Sequence, residues 1–209
     1  MYALMGQNGS GKSTLAQSVM GDPTFTLLAE SRISLDEKDI TQQKPDKRAR
    51  LGLFVSFQSP PALSGINSFQ LLRNALEGKL DAAAVFVKVR EYAQKLQVSE
   101  ELLLRSVNEG FSGGERKKIE LLQAAVLDRQ ILFLDEIDTG VDVDALKVIG
   151  NFLQELAAQG KTLVIITHYT RILEYIQPEV VLVLKEGGIV KTGGYKVAKE
   201  IEEKGYEFL

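Results

Sequence analysis

The chain has 209 residues and a formal net charge of −3 at pH 7. This length is enough for one domain with a substantial core, and the slightly acidic balance argues against a nucleic-acid-binding surface. The apolar runs at residues 163–166 and 180–184 are strand-length, whereas a membrane-spanning helix needs roughly 20 residues. We therefore expect a soluble, cytoplasmic protein with a single domain over residues 1–209.

A glycine-rich motif follows the first predicted strand, residues 2–5. Residues 6–14 match the pattern G-x-x-x-x-G-K-[ST] and overlap a helix predicted over residues 13–19. Glycines let a polyphosphate approach backbone N–H groups, and the helix start adds unpaired donors. Lys12 would bring positive charge to the β- and γ-phosphates, and the Ser13 hydroxyl would ligate Mg²⁺. A glycine-rich turn with an incidental lysine is the alternative. The residues assigned to nucleotide binding in this loop are Gly6, Gln7, Asn8, Gly9, Ser10, Gly11, Lys12, Ser13 and Thr14.

The middle of the chain is predicted to contain an inserted helical segment. An apolar strand candidate, residues 53–58, ends at Gln58, whose side-chain amide could reach both Mg²⁺ and an attacking water. Residues from about 59 to 112 have apolar positions at helical spacing, and the turn around residues 59–69 is a candidate partner surface. Four basic residues upstream are interpreted as a solvated helix face: Lys44, Lys47, Arg48 and Arg50.

A second helix start carries two adjacent glycines. Ser112 and Glu115 have the spacing of a capping box ahead of a helix predicted from about residue 115 to 127. An ordinary cap explains the serine and the glutamate, but glycines at a helix start cost conformational entropy and bury nothing. Close approach of an anion would explain them, so Ser112, Gly113 and Gly114 are predicted to contact phosphate.

Two further apolar strands end in polar side chains. Residues 131–134 are followed by Asp135 and Glu136, and residues 162–167 by His168, the only histidine. Ligands of parallel sheets collect at the carboxyl ends of strands, so we expect these side chains at one site. Asp135 is the predicted Mg²⁺ ligand. Glu136, which would point to the other side of the strand, is the predicted general base, and His168 would contact the γ-phosphate or orient the water. The alternative is that these are ordinary polar residues at solvated strand ends.

Taken in order, these motifs resemble the nucleotide-binding domain of the ABC ATPase superfamily. The resemblance implies an α/β fold of the P-loop NTPase type, with a mostly parallel sheet and an inserted helical subdomain. It also implies ATP and Mg²⁺ as ligands and a head-to-tail dimer, in which Ser112 and Gly114 of one subunit close over the ATP held by the other. Asp142 matches the position that links the two sites across the dimer, and Thr139 stands where serine is more usual.

Several segments narrow the resemblance to the SufC family, the ATPases of the SUF iron–sulfur cluster assembly system. They are residues 53–60, 65–69, 138–147 and 166–169, and the C-terminal segment 193–209. This resemblance implies the scaffold proteins SufB and SufD as partners, on which ATP-driven dimerisation would do mechanical work. The chain has no cysteine. Any cluster must therefore be assembled on a partner rather than on thiolates of this chain.

The family normally has two strands and an adenine-stacking aromatic residue before the phosphate loop. Here the sequence reaches Gly6 almost directly after Met1, and Tyr2 is too close to Gly6 to be that aromatic residue. We therefore expect the N-terminal strands of the family to be absent, through a lost N-terminus or a version of the domain that works without them.

The expected reaction is hydrolysis of Mg²⁺-bound ATP by in-line attack of water on the γ-phosphorus. Lys12 and the partner subunit's helix would stabilise the transferring charge, while Gln58, Glu136 and His168 would handle the water. Two alternatives remain open. One is the nucleotide-binding domain of a membrane transporter, and the other is a non-hydrolytic interaction module gated by ATP.

Overall fold

This computed structural model describes residues 1–206 of the chain, which contain both strands and helices. In chain order the elements are β1 (Tyr2–Met5), α1 (Lys12–Met20), β2 (Ser34–Leu35), β3 (Lys38–Asp39), α2 (Pro45–Arg50), β4 (Leu53–Val55), β5 (Leu63–Asn67), α3 (Ser68–Ala75), α4 (Ala82–Lys95), α5 (Glu100–Leu104), β6 (Ser106–Val107), α6 (Gly113–Val126), β7 (Ile131–Asp135), α7 (Val143–Ala158), β8 (Thr162–Ile166), α8 (Arg171–Ile176), β9 (Val180–Lys185), β10 (Gly188–Gly193) and α9 (Tyr195–Lys204). Residues 207–209, the end of the C-terminal segment that carries part of the resemblance, lie outside the described residues.

The main sheet has six strands in the order β10-β9-β1-β8-β7-β4. Neighbouring strands are parallel, except that β10 runs antiparallel to β9. In β1, Ala3 and Met5 belong to one buried cluster and Leu4 to another, so both faces of this strand are covered. Such strands must be continuously apolar, as the sequence pattern indicated. The prediction of an α/β fold with a mostly parallel sheet is confirmed.

The strand register places three loop starts side by side. Ile166, the last residue of β8, pairs with Leu4 of β1 on one side and with Asp135 of β7 on the other. The chain leaves these three strands at the same edge of the sheet. The loops that begin after β1, β7 and β8 are therefore neighbours, which is what the prediction of one shared site requires.

The interval from residue 59 to 112 contains three helices, α3, α4 and α5. Their buried side chains, including Leu72, Val85 and Leu103, join the same core cluster as Ile119 of α6. A two-stranded sheet of β5 and β6 also lies in this interval. Its strands are short and β5 is largely exposed, so their sequences lack the apolar alternation that would have predicted them.

The basic residues around α2 differ in their environment from the sequence-based interpretation. Lys44, Lys47 and Arg50 are exposed, but Arg48 is only 2% exposed. Its guanidinium donates to backbone carbonyl oxygens, among them those of Ser18 at 3.0 Å and of Val19 at 2.7 Å near the end of α1. The solvated-face interpretation is therefore wrong for Arg48, because its guanidinium is buried and donates to backbone carbonyl oxygens at the end of α1.

Candidate functional site

The phosphate loop, residues 6–14, connects β1 to α1. Gly9 and Gly11 have φ angles of 81° and 102°, in the left-handed region that favours glycine. Gly6 lies directly against β9, since a β-carbon at this position would stand 2.4 Å from the carbonyl oxygen of Leu184. The loop conformation therefore depends on the glycines that the motif supplies.

Lys12 is buried at the start of α1, with 6% of its surface exposed. Its Nζ donates to the carbonyl oxygens of Gly6 at 2.8 Å and Gln7 at 2.9 Å. Burial lowers the pKa of Lys12, and the negative charges of Asp135 and Glu136 oppose that shift. The ammonium group thus rests on the loop's own carbonyl oxygens and lies close enough to the acidic pair to interact with it.

Asp135 ends β7 and is 3% exposed. Burial raises the pKa of Asp135, and a hydrogen bond with the Ser13 hydroxyl opposes the rise. Its Oδ1 has no hydrogen-bond partner within the described residues, and its backbone N–H donates to Ser56 Oγ at 2.7 Å. A buried carboxylate with a free oxygen beside a hydroxyl is a donor set that suits Mg²⁺. The structure brings together the two predicted ligands Ser13 and Asp135, and these residues fit the cation.

Glu136 follows Asp135 in a left-handed conformation, with φ of 48°. A non-glycine residue in this region costs on the order of 1 kcal/mol, and the hydrogen bond from Glu136 N–H to the Ile166 carbonyl oxygen at 2.8 Å holds it there. The sequence argument attributed the direction of Glu136 to strand alternation. That reason is wrong, because the strand ends at Asp135.

Glu136 and His168 face each other across the sheet edge. Oε1 of Glu136 lies 3.5 Å from Nδ1 of His168, which is longer than a normal hydrogen bond. The Nδ1 atom is buried and has no hydrogen-bond partner within residues 1–206. The predicted base and the predicted γ-phosphate contact are therefore adjacent and retain free polar atoms.

Thr167 and Asp138 hold the segment that carries His168. The Thr167 hydroxyl donates to Asp138 Oδ2 at 3.0 Å and accepts the Tyr169 N–H at 3.0 Å. Burial raises the pKa of Asp138, and the hydrogen bond from Thr167 is among the interactions that oppose this shift. Sequence reasoning did not assign a role to Thr167. Its position next to the only histidine was the available signal.

Ser112 and Asp142 were predicted to act at the nucleotide. In this structure each of them caps the N-terminus of a helix. Ser112 Oγ accepts the Glu115 N–H at 3.3 Å, and Glu115 Oε2 accepts the Ser112 N–H at 2.7 Å, which completes the capping box. Asp142 Oδ1 accepts the Ala145 N–H at 2.7 Å at the start of α7. Both capping residues are exposed, so the caps leave Ser112 and Asp142 accessible from outside the chain.

The two glycines after Ser112 have different surroundings. A β-carbon on Gly113 would stand 2.7 Å from the carbonyl oxygen of Gly140. On Gly114 the nearest atom would be the Ala145 β-carbon at 3.8 Å, which is ordinary contact. The argument that these glycines bury nothing is therefore wrong for Gly113, whose contact lies within the chain. It holds for Gly114, because no atom of residues 1–206 lies close enough to its missing β-carbon to require a glycine there.

Gln58 lies three residues beyond the end of β4, in an exposed loop rather than at the strand end. It lines a cavity of about 260 Å³ together with Gly113, Lys117, Glu136 and Thr139. The structure therefore places Gln58 beside the predicted general base, at the junction between the sheet edge and the start of α6.

Two buried side chains of α6 were missed by sequence reasoning. Lys117 Nζ donates to the Asp135 carbonyl oxygen at 3.2 Å. Glu120, one turn later, accepts the Phe57 N–H at 2.5 Å through Oε1. Their three-residue spacing puts both on one helix face. Charged residues at that spacing usually indicate a solvated helix face, so the sequence pattern suggested exposure where the structure has both side chains buried.

The C-terminal segment also reaches the phosphate loop. The Tyr206 hydroxyl accepts the Gly6 N–H at 3.1 Å. With residues 7–10, Leu184 and Glu186, Tyr206 lines a second cavity, of about 140 Å³. Burial raises the pKa of Tyr206, against the effect of the Gly6 hydrogen bond. No sequence pattern relates residues so far apart in the chain.

Buried polar atoms without partners gather around this edge of the sheet. Among residues 1–206 six such side-chain atoms occur, and four belong to Ser10, Glu120, Asp135 and His168. Folded proteins leave few such atoms unpaired, and a cluster of them marks a place where a ligand or water completes the bonding. The arrangement can bind an anion at the loop and Lys12, hold a cation at Asp135, and place a carboxylate and an imidazole beyond it.

Comparison with known proteins agrees with this geometry. A protein-family model described as ABC transporter matches residues 1–139 of the chain. The chain belongs to the ABC transporter family. Its P-loop, parallel sheet and inserted helices are thus those of an ABC ATPase cassette, and the predicted fold class is confirmed.

Two relatives of this ABC protein match its whole length. A probable ATP-dependent transporter, ycf16, of Antithamnion sp. is 38% identical over 100% of the chain and 86% of its own length. Vegetative protein 296 of Bacillus subtilis strain 168 is 40% identical over 100% of the chain and 82% of its own length.

Solved ABC cassettes have the same fold. A nucleotide-free ATP-binding cassette from an ABC transporter superposes with a TM-score of 0.77 at 26% identity, covering 98% of this chain and 84% of that one. A dimeric, post-hydrolysis cassette bound to ADP and Pi gives a TM-score of 0.79 at 19% identity, covering 93% and 84%, and so shows the fold alone. Across residues 1–206, none of the helices combines the length and the apolar character needed to cross a bilayer.

Proposed function

We propose that this chain hydrolyses ATP as the SufC-type subunit of a SUF iron–sulfur cluster assembly complex. In this role it drives conformational change of SufB and SufD through ATP-dependent, head-to-tail dimerisation. One observation carries the ATPase assignment. Lys12, Asp135, Glu136 and His168 meet at one sheet edge, on the loops of three neighbouring strands.

The chain's own groups divide the work of hydrolysis. Backbone N–H groups of the phosphate loop and Lys12 bind the triphosphate, with Lys12 exchanging carbonyl oxygens for phosphate oxygens. Ser13, Asp135 and Gln58 are the residues that would hold Mg²⁺, which supplies positive charge to the phosphate oxygens when bound. Glu136 accepts a proton from the water as its oxygen attacks the γ-phosphorus, while the bond to the β–γ bridging oxygen breaks and ADP leaves.

His168 and the start of α6 complete the site. The imidazole lies on the segment that Thr167 and Asp138 hold, and it orients the water or contacts the γ-phosphate. Ser112 and Gly114 are exposed or uncrowded at a helix N-terminus, where backbone N–H groups and the helix dipole favour an anion. They would complete the ATP site of the other subunit, with Asp142 at the same interface. Solved cassettes of the same fold are described as dimeric.

The assignment to the SUF system rests on sequence segments and composition. Residues 138–147 and 166–169 resemble the SufC family, and a chain without cysteine must act on a cluster held elsewhere. The second candidate is the nucleotide-binding domain of a membrane transporter. It is favoured by the names of relatives, such as a probable ABC transporter ATP-binding protein of Streptococcus pyogenes that is 40% identical to the chain.

The test measures phosphate release against protein concentration, alone and with SufB and SufD. The rate per chain should rise with concentration and with the scaffold proteins, because each site is completed by a second subunit. Glu136→Gln should lose about a hundredfold in rate and accumulate as an ATP-bound dimer. A rate independent of concentration, or an unchanged rate in Glu136→Gln, would contradict the proposal. Co-purification with membrane permeases would favour the transporter, and ATP binding without phosphate release a non-hydrolytic module.

A further inference from the structure

Glu120 is a buried carboxylate that the proposed reaction does not use. It lies on α6, about two turns beyond the helix start at Ser112, and is 4% exposed. Oε1 accepts the Phe57 N–H at 2.5 Å, while Oε2 has no hydrogen-bond partner in the described part of the chain. Burial raises the pKa of Glu120 to about 7, against the effects of Phe57 and Lys117. Burying a carboxyl group costs free energy unless hydrogen bonds compensate for it, and the hydrogen bond from Phe57 offsets part of this cost.

The hydrogen bond between Glu120 and Phe57 fixes the backbone immediately before Gln58. Ser56, one residue earlier, donates its N–H to the Phe133 carbonyl oxygen at 2.8 Å, and its hydroxyl accepts the Asp135 N–H at 2.7 Å. Ser56 is thus fixed to β7 and Phe57 to α6. The next residue, Gln58, is exposed and lines the cavity that also contains Glu136. The backbone positions of Ser56 and Phe57 therefore determine where the backbone of Gln58 lies, and Glu120 fixes that of Phe57.

Lys117 does not take over this role. Although it lies one turn before Glu120 on the same helix face, its ammonium donates to the Asp135 carbonyl oxygen. The carboxylate of Glu120 is left to the Phe57 amide, 63 residues away in the chain. This hydrogen bond joins the Gln58 loop directly to α6.

We propose that Glu120 is a positioning residue for Gln58, which it fixes through Phe57 to the helix that begins at Ser112. This inference rests on the proposed ATPase function. In that function Gln58 serves the chain's own nucleotide, while Ser112 serves the nucleotide of the partner subunit. Glu120 therefore links the two half-sites that one chain contributes.

Three variants test the link. Glu120→Leu removes the acceptor at similar volume, and Glu120→Gln keeps an acceptor oxygen without the charge. Gln123→Leu, one turn further along α6, is the matched control. Glu120→Leu should speed hydrogen exchange of the Phe57 and Gln58 amides about tenfold and lower kcat about tenfold with little change in KM. Glu120→Gln should restore both quantities to within about threefold of the parent, and the control should leave both unchanged.

A double-mutant cycle separates positioning from general destabilisation. In a Gln58→Ala background, Glu120→Leu should cause no further loss of kcat, because its effect passes through Gln58. An equal loss in both backgrounds, or unchanged exchange at Phe57 in Glu120→Leu, would overturn the inference. If the parent protein hydrolyses no ATP, the proposed function fails. The exchange comparison of the Leu and Gln variants still decides whether Glu120 fixes the loop.

Discussion

Gly113 packs against the backbone of Gly140 so closely that a β-carbon on Gly113 would stand 2.7 Å from the Gly140 carbonyl oxygen. This contact joins the start of α6 to the turn between β7 and α7. Gly114, the next residue, has no neighbour among the described residues closer than 3.8 Å to its missing β-carbon. One glycine is therefore required by the fold and the other is not, and substitution can separate the two.

Alanine at each glycine should have opposite effects on stability. Gly113→Ala forces the backbone of Gly140 to move and should lower stability by about 1–3 kcal/mol. Gly114→Ala adds a better helix former and should raise stability by up to about 1 kcal/mol. If the glycine admits the partner subunit's phosphate, Gly114→Ala should still lower phosphate release about tenfold or more. Thermal unfolding and phosphate release measure the two effects. A stable Gly114→Ala protein with a full hydrolysis rate would contradict the shared site.

Asp135→Asn should stabilise the protein without nucleotide and abolish its response to nucleotide. Burial raises the pKa of Asp135, so the charged form is disfavoured by folding. A neutral amide should therefore raise the unfolding temperature by about 2–4 °C. Mg²⁺ with ATP should stabilise the parent by about 2.7 kcal/mol at a hundredfold excess over Kd, and should leave the variant nearly unaffected. An intact Mg²⁺-dependent shift in the variant would remove Asp135 from the cation site.

Glu120 should make stability depend on pH. Burial raises its pKa from 4.5 to about 7, so the folded protein retains a proton that the unfolded chain releases in this window. The free energy of unfolding should then fall as pH rises through the window, by on the order of 3 kcal/mol. Glu120→Gln lacks this titration, so its stability relative to the parent should increase toward neutral pH. Urea unfolding at both ends of the window measures the difference, and a pH-independent difference would contradict the assignment.

Tyr206→Phe should make the phosphate loop less well ordered. The substitution removes the acceptor of the Gly6 N–H and should cost about 1 kcal/mol of stability. Because the loop is less well ordered, ATP affinity should fall about threefold to tenfold. Tyr2→Phe, at an exposed tyrosine of β1, is the control. Titration calorimetry with ATP measures the affinity, and equal affinity in both variants would show that Tyr206 does not support the loop.

Local patterns predicted the elements that carry the site. The first strand was predicted over residues 2–5 and is β1, Tyr2–Met5, and the apolar run at residues 131–134 is the core of β7. These predictions succeed because a continuous apolar run and the spacing of a phosphate loop are properties of consecutive residues. Neighbouring strands and their order then bring Asp135 and His168 to one edge.

Contacts between distant residues could not be predicted in the same way. Arg48 was interpreted as solvated, yet it is buried and donates to carbonyl groups near the end of α1. Gln58 was placed at a strand end, and the strand stops three residues earlier. The direction of the Glu136 side chain was attributed to strand alternation, but the left-handed backbone of this residue determines it instead.

The sequence by itself determined that this chain has a phosphate loop, a second glycine-bearing helix start, and acidic and histidine side chains after buried strands. Only the tertiary structure decided which distant residues form the hydrogen bonds that position these motifs. Phe57 and Glu120 are 63 residues apart, Ser56 and Asp135 are 79 apart, and Gly6 and Tyr206 are 200 apart. The reason is physical. Motifs and periodicity express the local geometry of the backbone, whereas these hydrogen bonds exist because packing of the sheet and α6 leaves buried polar groups that must find partners.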